Sequence, residues 1–139
     1  MASKQKVSKP KVLIIEDSYI VRFEVKQALE PYGLEVLELD NAETFFRLPY
    51  HFKDSCLLLL DISLPGLDGL STLERMRTNP EWANLPVIML TGRADRHTVK
   101  RALQAGANDY IRKPFTSEEL VKRIERILGI PAIGKENPP

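Results

Sequence analysis

Five polar side chains of this chain share one kind of position, at or just after the end of a short apolar run. KVLIIED closes on Glu16 and Asp17, CLLLLD on Asp61 and PVIMLT on Thr91, while DYIRKP leads into Lys113. Three carboxylates brought together repel one another and raise each other's pKa unless a cation shares the site. With oxygen ligands only and no histidine or cysteine beside them, that cation is a hard ion. Few carboxylates, with room left for phosphate oxygens, suit magnesium better than a calcium cage. Lys113 adds a second positive charge. Together the two cations would neutralise the oxygens of a phosphoryl group in transit, the main service this transfer needs. Asp61 would then be the nucleophile, since a carboxylate can form an acyl phosphate.

Such a site needs elements that bring those positions together. Runs at 12–15, 36–39, 57–60 and 87–90 are rich in valine, isoleucine and leucine, the pattern of strands buried on both faces of a parallel sheet. A fifth strand at 110–112 is short and polar at one end. Between them lie segments of helical period. Ser18 can cap a helix carrying Val21, Val25, Ala28, Leu29 and Tyr32, which Pro31 shortens and Gly33 ends. Asn41 can cap a short helix with Phe45 and Phe46, stopped by Pro49. Residues 69–77 present Leu70, Leu73 and Met76 at helical spacing, and residues 96–104 present Val99, Ala102 and Leu103. Thr116 and Glu119 form a capping box ahead of Leu120, Ile124, Ile127 and Leu128. This alternation predicts an α/β fold with a parallel sheet and helices on both faces. In such a sheet ligands bind beyond the carboxyl ends of the strands, where the five polar groups stand.

The bulk numbers agree with one folded unit. The chain has 139 residues, with 43% hydrophobic and 28% charged, enough for one domain with a real core. Twenty basic residues against nineteen acidic ones leave a net charge of +1, which gives no general electrostatic reason to bind nucleic acid or an anionic membrane. Cys56 is the only cysteine, so an internal disulfide is excluded, and the residue reads as a small buried hydrophobe. No apolar stretch is long enough to span a membrane, and the N-terminus lacks the apolar core of a secretion signal, so the chain reads as cytoplasmic. Residues 1–10 are expected to be a flexible tail, 11–128 the folded domain, and 129–139 a second flexible tail or a truncated linker at GKENPP.

The motifs ED, D followed by PGLDG, TG and KPF, in that order, resemble the receiver domain of two-component response regulators. The resemblance spans roughly 11–128 and implies a flavodoxin-like (CheY-like), doubly wound sheet of five parallel strands in the order 2-1-3-4-5, with five helices. It implies that a sensor histidine kinase or a histidine phosphotransfer protein supplies the phosphoryl group to Asp61. Asp17 would hold magnesium directly and Glu16 through water, with Asp61 and the backbone carbonyl of Ser63 as further ligands. Thr91 would bond a phosphoryl oxygen, Lys113 would pair with another, and the Lys113–Pro114 bond would be cis. Tyr110 matches the switch aromatic, which turns inward as the threonine moves, so the fourth helix, fifth strand and fifth helix would signal to a downstream protein or output domain. The resemblance implies no direct nucleic-acid contact by this domain, no membrane contact and no dedicated enzyme activity; a phosphorylation-dependent homodimer is left open.

A pseudo-receiver that recognises partners without being phosphorylated is the alternative, and loss of an acid, the threonine or the lysine would have marked it. A phosphatase or nucleotide-binding protein on the same sheet lacks its glycine-rich loop or second acid. Ser63 and Arg93 depart from commoner choices and flank the path of attacking water, so both are expected to tune the acyl phosphate's lifetime, Arg93 by reaching over the phosphoryl group. His51 and His97 read as surface residues, Trp82 as a packing residue, and Arg96, Lys100 and Arg101 with Arg93 as a solvated face.

Overall fold

The computed structural model describes residues 9–92 and 95–129. Five strands, β1 (Lys11–Ile15), β2 (Glu35–Leu39), β3 (Ser55–Asp61), β4 (Val87–Thr91) and β5 (Asp109–Arg112), form one sheet in the order β2-β1-β3-β4-β5. Every neighbouring pair is parallel. Five α-helices alternate with them: α1 (Tyr19–Leu29), α2 (Ala42–Arg47), α3 (Gly69–Arg77), α4 (Arg96–Gln104) and α5 (Ser117–Leu128). The doubly wound fold and its strand order are those expected.

Successive strand residues point to opposite faces, so the central strands serve two cores at once. Val12 and Ile14 of β1, Leu57 and Leu59 of β3, and Ile88 and Leu90 of β4 pack with Val25, Leu29, Leu120 and Ile124 of α1 and α5. Leu13, Ile15, Leu58, Leu60, Val87 and Met89 pack on the other face with Phe45, Leu73, Met76 and Ala102. Trp82 is buried there, edge-on to Phe45 at 5.0 Å, as a packing residue should be. β2 differs from the expectation of two buried faces. It is an edge strand, and of its residues only Val36 is buried.

The caps follow the sequence. Ser18 Oγ accepts from the Val21 amide, Asn41 Oδ1 from Thr44 and Thr116 Oγ1 from Glu119. α1 stops at Leu29, a 3-10 turn through Pro31 follows, and Gly33 closes it at φ 81°. Asp68 and Asp95, unremarked in the sequence, cap α3 and α4. On α4 only Ala102 is buried; Leu103 is 47% exposed and Val99 half-buried, because the rest of this apolar face turns outward beside Tyr110. Cys56 is half-buried rather than buried, and desolvation pushes its thiol pKa up.

Of the two expected tails, residues 1–8 and 130–139 lie outside the described residues. Pro10 is already tied to the fold through its carbonyl, which accepts from the Glu35 amide at 2.8 Å, and Gly129 is the left-handed cap of α5. Among the described residues no helix is long and apolar enough to cross a membrane.

Candidate functional site

The register sets the carboxyl ends of four strands side by side. Ile15 pairs with Leu60, Asp61 with Leu90 and Thr91 with Arg112, so the residues that follow or close these strands meet at one edge. The loops there are knitted by backbone bonds, Glu16 to the Leu39 carbonyl at 3.0 Å, Ile62 to that of Leu90 at 3.0 Å and Lys113 to that of Thr91 at 2.7 Å. The Lys113–Pro114 bond is cis.

Glu16, Asp61 and Thr91 are buried and Asp17 is exposed. One carboxylate oxygen each from Glu16, Asp17 and Asp61 lies within 4.8 Å of the other two. Lys113 Nζ stands 3.3 Å from Asp61 Oδ1 and in ion-pair contact with Glu16 Oε1. The Ser63 amide donates to Asp61 Oδ1 at 3.1 Å. Sequence reasoning assigned the Ser63 carbonyl to the metal; the Ser63 amide bond to Asp61 is a further contact that it did not name. Arg22, one turn into α1, was missed. Its guanidinium donates to the Glu16 carbonyl at 2.7 Å and to Glu38 at 3.2 Å, which braces the acidic loop, and a cation one turn after an acidic pair was the only signal. Tyr110 is half-buried on β5, beside Val99, Lys100 and Leu103 of α4. His51 and His97 are exposed, as are Arg96, Lys100 and Arg101, while Arg93 falls outside the described residues.

The electrostatics separates the two buried acids. Burial pushes Asp61 up, but the nearby Glu16 carboxyl, the Ser63 amide and the Lys113 charge outweigh it, so its pKa is lowered and the carboxylate is held ionised. Glu16 goes the other way, pushed up to about 8 by burial and then by the adjacent Asp61, against the pull of Lys113. Lys113 loses by burial and gains more from Glu16 and Asp61, so its pKa rises. Neither Glu16 oxygen finds a partner with hydrogen-bonding geometry, although both are buried. Three converging carboxylates, with Glu16 Oε2 buried and without a partner while Oε1 meets only Lys113, are the donor set of a hard divalent cation, so the residues fit magnesium.

A pH dependence follows from Glu16. A cation must displace its proton, so magnesium affinity is expected to rise up to about tenfold per pH unit toward pH 8 and then to level off. Calorimetric titration of magnesium chloride in two buffers of different ionisation enthalpy checks this; a pH-independent affinity with no proton release contradicts it. The metal-free fold should show the opposite trend. Folded Glu16 keeps a proton that the unfolded carboxyl has lost, so its contribution to stability is full below about pH 4.5 and is lost as pH rises through about 8.

Comparison with known proteins bears on this geometry. Residues 12–125 match the family model described as the response regulator receiver domain. The phosphate regulon transcriptional regulatory protein PhoB of Rhizobium meliloti is 39% identical over 122 residues, covering 86% of this chain and 52% of that protein. The chain thus spans about half the length of the PhoB relatives it matches. A putative response regulator from Chloroflexus aurantiacus superposes with a TM-score of 0.81 at 35% identity, over 87% of this chain and 99% of that one. The receiver domain of the sensor histidine kinase PA1611 from Pseudomonas aeruginosa, solved with magnesium coordinated in its active site cleft, superposes with a TM-score of 0.76 at 28% identity, over 87% and 98%.

Proposed function

The chain belongs to the response regulator receiver domain family of two-component systems, and from that premise we propose that it is a magnesium-dependent phosphorylation switch whose acceptor is Asp61. The carrying observation is the convergence of Glu16, Asp17, Asp61 and Lys113 at the carboxyl edge of one sheet. Asp61, held ionised, attacks the phosphorus of a phosphohistidine presented by a sensor kinase or phosphotransfer protein. The oxygen–phosphorus bond forms as the phosphorus–nitrogen bond breaks, and the imidazole nitrogen keeps the electron pair. Glu16, Asp17, Asp61 and the Ser63 carbonyl would hold magnesium, which when bound would supply the charge that neutralises the phosphoryl oxygens. Lys113 pairs with one of those oxygens and Thr91 bonds another. Water attacking the acyl phosphate returns the carboxylate and inorganic phosphate, at a rate that Ser63 and Arg93 tune.

The donor has to reach the mouth of the site, and α1 begins two residues after Asp17. Tyr19, Ile20 and Phe23, in the first turns of α1 directly after Asp17, are exposed, which supports docking by a protein donor rather than a free phosphate. Output runs through Thr91 and Tyr110 to the outward apolar face of α4, with β5 and α5, as a population shift between two states of that surface. Residues 11–128 form the receiver unit, acting in the cytoplasm on a downstream protein or output domain.

Incubation with a small-molecule phosphodonor and magnesium chloride tests the core of this reading. The expected result is the mass gain of one phosphoryl group, labile at alkaline pH, on the peptide that contains Asp61, and its loss when magnesium is chelated. A chain that stays unmodified while it binds partners is the pseudo-receiver instead.

A further inference from the structure

The loop between β3 and α3 follows the acceptor, carries Ser63 and is closed at its base by the Gly69 amide donating to the Ile62 carbonyl at 3.0 Å. Its apex is held from a different part of the chain. Glu43, in the first turn of α2, accepts from the Leu67 amide through Oε2 at 3.2 Å, across 24 residues. Gly66, at φ 72°, lies so near the Glu43 carboxylate that an added Cβ would run into Oε2, so the glycine makes room for that carboxylate as well as turning the chain. α2 is itself rigidly seated, with Ala42 and Phe45 fully buried and Asn41 capping it, so Glu43 ties the loop to the core.

We propose that Glu43 is a positioning residue for the acceptor site: its carboxylate fixes the loop apex, and the fixed loop keeps Ser63 at the station from which its amide holds Asp61 and its carbonyl would reach a bound metal. This rests on the reading of the site as a magnesium-dependent acceptor. Freed of Glu43, exposed Pro65 and Gly66 and half-buried Leu67 gain conformations, and the geometry at Ser63 has to be restored each time an ion binds. The cost falls on binding, because the rest of the site is anchored by β1, β3 and β5.

The test compares the full chain with Glu43→Ala, which removes the acceptor, and Glu43→Gln, which keeps a side-chain oxygen at the same reach. Hydrogen exchange reports the tether without any metal: the Leu67 amide is expected to exchange roughly three- to tenfold faster in Glu43→Ala while amides inside β3 are unchanged. Calorimetric titration with magnesium chloride is expected to show affinity weakened by a similar roughly three- to tenfold in Glu43→Ala, with Glu43→Gln within about twofold of the parent. Unchanged exchange at Leu67 overturns the tether, and faster exchange with unchanged magnesium affinity overturns the positioning role. Glu43→Gln as weak as Glu43→Ala overturns it too, since charge and not the held loop would then be acting. A parent chain that takes up no magnesium would instead overturn the reading of the site.

Discussion

Replacing Asp61 with asparagine is expected to abolish covalent phosphoryl uptake while leaving the fold intact. Asparagine keeps the shape of the side chain and one oxygen that can accept from the Ser63 amide, but it has no anionic oxygen to attack phosphorus. Two opposing effects decide its stability. The lowered pKa of Asp61 means that the folded site favours its ionised form, a contribution present above the ordinary carboxylate pKa and lost in the variant. Against this, Asp61 helps push Glu16 up, and removing its charge lets Glu16 ionise beside Lys113. The net change in unfolding free energy is expected to stay within about 1 kcal/mol at neutral pH. Intact-mass measurement after phosphodonor treatment, with urea denaturation in parallel, checks both halves. An adduct of parental yield on the asparagine variant would move the acceptor elsewhere.

Gly69→Ala is expected to be strongly destabilising. Helix propensity alone favours alanine over glycine, by about 1 kcal/mol in a helix interior and by less at this first position of α3, yet packing reverses the sign. The new Cβ would run into the Asp61 carbonyl oxygen and sit 2.7 Å from Ile62 Cα and 2.9 Å from the Asp61 carbonyl carbon. Those are backbone atoms at the end of a central strand, unable to swing aside as a side-chain tip would. The variant is expected to lose about 3 kcal/mol of unfolding free energy and, by shifting the chain at Asp61, to bind magnesium less well. Gly92→Ala, where an added Cβ meets nothing within 4 Å, is the matched stability control. If Gly69→Ala proves as stable as the parent in urea, the close seating of α3 against the acceptor is wrong.

Much of this molecule was legible before any coordinates. Apolar runs of about four residues between segments of helical period have few ways to bury themselves, and the parallel sheet is the one that covers both faces of the central strands. Ser18, Asn41 and Thr116 declared their helices because a cap acts through local bonds three residues long. The roster of the site was legible for a related reason. Once the strands are parallel, their carboxyl ends share an edge, and polar residues placed there must meet. What failed to show were contacts whose partners lie far apart in sequence or whose exposure depends on a neighbour: the half-buried edge strand β2, the outward face of α4 at Leu103, the brace from Arg22 and the tether from Glu43.

Residue types and spacing by themselves determined the kind of chemistry open to this protein, since carboxylates, a hydroxyl and an ammonium at strand ends are a matter of composition and topology. The tertiary structure alone decided which acid is ionised, with Asp61 lowered and Glu16 raised, and which loop is held by what. Desolvation and Coulomb attraction depend on distances of a few ångströms and on what shields them, quantities that no spacing along the chain encodes.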